Sequence, residues 1–90
     1  MKDVVRKTIV ANTKTPFRMK LKRSKFLVKN FTEGNITVSL GDNAETSLIG
    51  PDCFEVLFNN IPAGGYEADR TNVVTVTGNV GGIVEVSSVD

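Results

Sequence analysis

Ninety residues allow one domain with a modest core, and the chain has no His, no Trp and one cysteine. A His-dependent catalytic triad is therefore excluded, and a single thiol supplies neither an intrachain disulfide nor a structural zinc site. The net charge of +1 conceals a split. Residues 1–32 carry ten Lys and Arg against one acid, Asp3, while residues 33–90 carry one Arg against nine acids, so the halves stand at +9 and −8. Such asymmetry points to interaction rather than to fold.

In chain order, Met1 to Lys7 lacks the apolar run of a signal peptide, and no segment approaches the roughly 20 apolar residues of a membrane span. The expectation is a chain with no membrane contact, cytoplasmic at synthesis. Val4-Val5 and Thr8-Ile9-Val10 suit a β-branched first strand; alternatively residues 1–14 form an arm. After Pro16 the chain alternates strictly, with Phe17, Met19 and Leu21 on one side and Arg18, Lys20 and Lys22 on the other, the period of a half-buried strand. Its outer face is a ladder of like charge that calls for an acidic surface opposite.

A third strand spans Phe26–Phe31, and Thr32-Glu33-Gly34-Asn35 reads as a hairpin turn with positive φ at Gly34 or Asn35. Ile36, Val38 and Leu40 alternate with Thr37 and Ser39 in the fourth. Gly50-Pro51 marks a corner that should tuck Leu48 and Ile49 inside, and Cys53–Phe58 is a fifth strand with Cys53 as a small buried hydrophobe. Residues 61–70 are irregular, with room for one helical turn at Gly64–Arg70. Val73–Thr77 and Ile83–Val89 are closing strands, and Gly78-Asn79-Val80-Gly81-Gly82 between them reads as a hairpin rather than a phosphate loop, which would need a following helix. Short strands about ten residues apart predict an all-β fold, a small antiparallel β-sandwich or jelly-roll-like barrel of six or seven strands in one domain over residues 1–90.

Asp42, Asn43, Glu45 and Asp52 gather oxygens but do not match a calcium-loop pattern, and no carboxylate pair is marked for acid–base work. No cofactor is expected and no enzyme. The two matches to the glycosylation pattern, at Asn30 and Asn35, read as coincidence without a secretory signal. The informative stretch is basic: Arg18, Lys20, Lys22, Arg23, Lys25 and Lys29, interleaved with Phe17, Phe26 and Phe31. Beside the plain reading of a solvated face with no partner, two readings compete. One is a face for a protein partner. The other is a nucleic-acid-binding small β-barrel using Arg18–Lys22, against which stands the near-neutral chain and the core period of the aromatics.

Phe26-Leu27-Val28-Lys29-Asn30-Phe31, the Gly34 turn, Ile36-Thr37-Val38-Ser39-Leu40, the corner Ser47-Leu48-Ile49-Gly50-Pro51 and the closing strands to Val89 together resemble the small β-sandwich virion proteins of tailed bacteriophages and prophages. That resemblance implies a non-enzymatic structural subunit: a capsid decoration, head fibre, or head or tail accessory protein. It implies partners among copies of itself and other virion proteins, and a final place in the particle. Charge complementarity adds an expectation for a homo-oligomer, in which Arg18, Lys20 and Lys22 of one subunit face Glu55 or Glu85 of the next.

Overall fold

A computed structural model describes residues 3–41, 46–58 and 71–89. They form β1 (Val4–Ile9), β2 (Thr15–Arg23), β3 (Lys25–Asn30), β4 (Ile36–Leu40), β5 (Ser47–Ile49), β6 (Phe54–Phe58), β7 (Thr71–Gly78) and β8 (Gly82–Ser88). Eight strands stand where six or seven were expected; the addition is the short β5, inside the stretch read as a corner. The first strand is a strand and not a loose arm. Residues 42–45 and the expected helical turn at Gly64–Arg70 lie outside the described residues.

Two antiparallel four-stranded sheets face each other, ordered β1-β8-β3-β6 and β2-β7-β4-β5. The pairings β1 with β8, β2 with β7, β3 with β6 and β4 with β5 are those of one long hairpin folded over itself. Joining β8 to β3 and β7 to β4 completes the roll. This is the jelly-roll form of the β-sandwich.

The topology overturns both hairpin expectations. Strands β3 and β4 lie in different sheets, as do β7 and β8, so Thr32–Asn35 and Gly78–Gly82 are crossings between layers. Among the described residues, β4 and β5 alone are consecutive strands paired in one sheet. Nor do Gly34 and Asn35 take positive φ; among the described residues that conformation falls on Asn12, Gly41, Asp52 and Gly82. At the first crossing, side chains shape the turn instead of backbone inversion, as described below.

The core is the alternating inner face of both sheets. Phe17 and Met19 of β2, Phe26 and Val28 of β3, Ile36, Val38 and Leu40 of β4, Val74 and Val76 of β7, and Val84 and Val86 of β8 are all buried. Each lies two residues from the next on its strand, the period that places side chains on one face. Ile49 joins them, but Leu48 points to solvent because it occupies the alternate position on β5.

Alternation fails at Leu21, which is exposed. Strand β2 follows β7 as far as Arg18 opposite Val73 and resumes at Arg23 opposite Thr71, so the intervening residues bulge out of the ladder. The bulge leaves backbone donors unpaired, and Asp3 takes two of them. Its Oδ2 accepts from the Lys20 and Leu21 N–H groups at 3.1 and 3.2 Å. The backbone of Asp3 is meanwhile held against Ser88, whose N–H donates to its carbonyl at 2.9 Å and whose Oγ accepts from its N–H at 3.0 Å. The only acid of the basic half thus ties the bulge to the edge of the other sheet. Asp3→Ala should cost about 1 kcal/mol, small because the site is open to water; a denaturant melt that leaves the midpoint unmoved would show the bulge needs no such cap.

Candidate interaction surfaces

Because the sheets stack with β1 beside β2 and β5 beside β6, the sandwich has two lateral edges of different chemistry. The β1–β2 edge is cationic. Arg18, Lys20 and Lys22 are exposed there and have no ion-pair partner among the described residues. This edge is guarded against strand pairing. Pro16 lacks an N–H, the bulge disrupts β2, and Lys7 reaches across with Nζ donating to the Pro16 carbonyl at 2.8 Å.

The β5–β6 edge is apolar and carries exposed Glu55. Glu55 therefore lies across the sandwich from Arg18, Lys20 and Lys22. On β6, Cys53 is exposed where burial was expected, Leu57 is the buried residue, and Phe54, Val56 and Phe58 project outward at 67%, 45% and 55% exposure. The reason is register. Leu57 sits opposite Phe26 and shares its inward direction, which turns the residues on either side to the outer face.

The backbone of β6 can be read the same way. The Asn30 N–H donates to the Cys53 carbonyl at 2.9 Å, in line with the β3–β6 register. Hydrogen-bonded and non-bonded pairs alternate in an antiparallel ladder, so Glu55 and Leu57 bond to β3. The N–H and C=O groups of Phe54, Val56 and Phe58 then point away from the sheet, and among the described residues no strand receives them.

On the outer face of the same sheet, several cations of the basic half are engaged within the chain. Glu85 lies between Arg6 and Lys29 in register, with its oxygens 3.9 Å from Arg6 Nη1 and 3.7 Å from Lys29 Nζ. It therefore already has two cationic neighbours in its own subunit, unlike Glu55. Lys25 Nζ stands 5.6 Å from the Phe58 ring centroid and Arg6 Cζ 5.2 Å from that of Phe31, both within cation–π range. Arg23 is half-buried with its Nε buried and unbonded among the described residues.

Phe17 and Phe26 are fully buried, so neither offers a stacking surface to a base. Of the three aromatics interleaved with the basic residues, Phe31 alone is exposed, with Arg6 over its ring.

The residue that the sequence reading passed over is Asn30, buried at the end of β3. Its amide nitrogen donates toward the carbonyls of Gly34, Ile49 and Gly50 at 2.8, 3.1 and 3.0 Å. Its Oδ1 accepts from the Thr32 N–H at 2.9 Å and the Thr32 hydroxyl at 2.6 Å. One side chain thus shapes the crossing into β4 and fastens it to the corner before β6. An amide committed to these bonds is not free to accept a glycan.

No His, Cys, Asp or Glu cluster suited to a metal occurs among the described residues, and no helix there is long and apolar enough to cross a membrane. Comparison with protein-family models, with curated proteins and with solved structures finds no match.

Proposed function

We propose that this chain is a non-enzymatic structural subunit of a bacteriophage or prophage particle, a capsid decoration, head-fibre or head or tail accessory protein, acting through self-association and protein contacts. The observation that carries the reading is the pair of unlike lateral edges, one bearing open cations and the other a largely apolar strand with a single acid, Glu55. A jelly roll is a fold used by viral capsid domains, though also by lectins and cupins, so the argument rests on the surface more than the fold. A chain of this size gains stability by burying such a strand against a neighbour. The cationic edge would then meet acidic surfaces in the particle, a contact that salt weakens.

Absolute mass from light scattering, at low and near-physiological salt, tests this. A discrete assembly above the 9.7 kDa chain mass is expected; a monomer at both salts overturns the reading. Reversing Arg18, Lys20 and Lys22 to Glu together should abolish any salt-sensitive step of association while leaving the fold intact, since all three are exposed. An unchanged mass profile would remove this edge from the assembly.

A further inference from the structure

We infer that the free edge of β6 pairs with β6 of a second copy, antiparallel and about a two-fold axis through Val56. The inference rests on the self-association proposed above and names its surface and register.

Among the described residues, three of the four sheet edges are defended. Strand β1 is tied to β2 through Asp3 and Lys7, β2 carries Pro16, Arg18 and the bulge, and β5 is only three residues long. These are the usual devices against edge pairing. Strand β6 is the least defended: it has no Pro, no Lys and no bulge in its pairing with β3, and its single charge is Glu55, opposite Val28.

The occupant is read from the strand itself. Phe54-Glu55-Val56-Leu57-Phe58 places Phe, Val and Phe at the positions whose backbone faces outward, a set that is the same in both directions. A two-fold interface needs a self-complementary patch, and a palindromic edge is one. With Val56 on the axis, Phe54 meets the partner's Phe58, Val56 meets the partner's Val56, and each such pair exchanges two backbone hydrogen bonds. On the outer face this sets aromatic beside aromatic on either side of a β-branched pair, favoured cross-strand neighbours. Glu55 falls opposite the partner's Leu57, so no like charges are opposed. The two β1-β8-β3-β6 sheets become one continuous sheet, and the cationic edges are left at its far ends for acidic neighbours. In this arrangement β6 is removed from any head-to-tail contact between Glu55 and Arg18, Lys20 or Lys22.

Light scattering across a concentration series should give twice the 9.7 kDa chain mass for the parent protein. Val56→Lys places like charges on the axis and should weaken dimerisation about 100-fold or more, with circular dichroism reporting that the fold is kept. Cross-linking supplies a second readout independent of stability. In a Cys53→Ser background, Val56→Cys brings two thiols to about 5.5 Å between Cα atoms, within disulfide reach, and should oxidise to a covalent dimer. Phe54→Cys leaves its thiols about 14 Å apart and should not. If Val56→Lys keeps the parent mass, or the Phe54→Cys variant links as readily as Val56→Cys, the two-fold pairing is wrong while self-association through another surface stands. A parent protein that stays monomeric throughout overturns both.

Discussion

Replacing Asn30 with Leu should cost about 3–4 kcal/mol, a loss large enough to leave a domain of this size close to its unfolding threshold. Leu has the same branching and number of side-chain heavy atoms, but it is bulkier, and the Thr32 N–H and the carbonyls of Gly34, Ile49 and Gly50 lose the shared partner that the buried Asn30 side chain provides. Asn30→Asp separates the hydrogen bonding from the shape. A carboxylate there faces three carbonyl oxygens, and none of the groups bonded to Asn30 is a cation, so burial and repulsion should raise its folded-state pKa above the unfolded value of about 3.9. A raised carboxyl pKa gives stability that is present below the unfolded value and lost as pH rises through the folded one. The Asp variant should therefore be less stable near pH 7 than near pH 4 relative to the parent. Equal stability loss at both pH values in thermal melts would mean that the amide does not organise the crossing.

Phe26→Ala should be equally damaging, at about 3–5 kcal/mol, because it opens a cavity between β6 and β8 in the middle of a fully packed face. For a domain near this length each 1 kcal/mol moves the melting temperature by about 4–8 °C, so the variant should melt roughly 12–40 °C lower. The telling comparison is with the same substitution at Phe54 and Phe58. Both are more than half exposed, and their loss should scarcely change the unfolding free energy of the monomer while weakening association. A Phe54→Ala protein destabilised as much as Phe26→Ala would place that ring in the core and contradict the outward face of β6.

Seven of the eight strands were legible from period two and β-branched composition, and Phe17, Phe26, Ile36, Val38, Val74 and Val86 all take the inward direction that alternation assigns. Connectivity was not. Alternation states which side chains share a face but not which sheet the strand joins, so turns rich in Gly and Asn look like hairpins when they cross between layers. The departures at Leu21 and Leu48 have one cause in different forms: local pattern continues where the backbone departs from it, through a bulge in one case and a three-residue strand in the other. The run from Cys53 to Phe58 is apolar except at Glu55, so it contains no alternation to say which side is inside; pairing with β3 decides it. Of the candidate contact residues that the charge split marks, Arg18, Lys20, Lys22, Lys25 and Glu55 are exposed. The split could not reveal that Lys29 and Glu85 lie side by side on two strands far apart in the chain.

The rolled-hairpin topology also sets how this chain must reach its native state. Only β4 and β5 can meet by closing a short loop. Every other pairing brings together segments farther apart than the one before it, from β3 with β6, to β2 with β7, to Ile9 beside Gly82. Loop-closure entropy rises at each stage and is recovered only when the next layer is buried. Refolding should accordingly be slow, on the order of milliseconds to seconds, with β1 the last strand to dock. Until then β8 has a bare flank, and the defences at Asp3 and Lys7 do not yet exist. The guarded state of this protein is a property of the finished roll, and a chain folding in this order should expose the flank of β8 as well as the edge of β6.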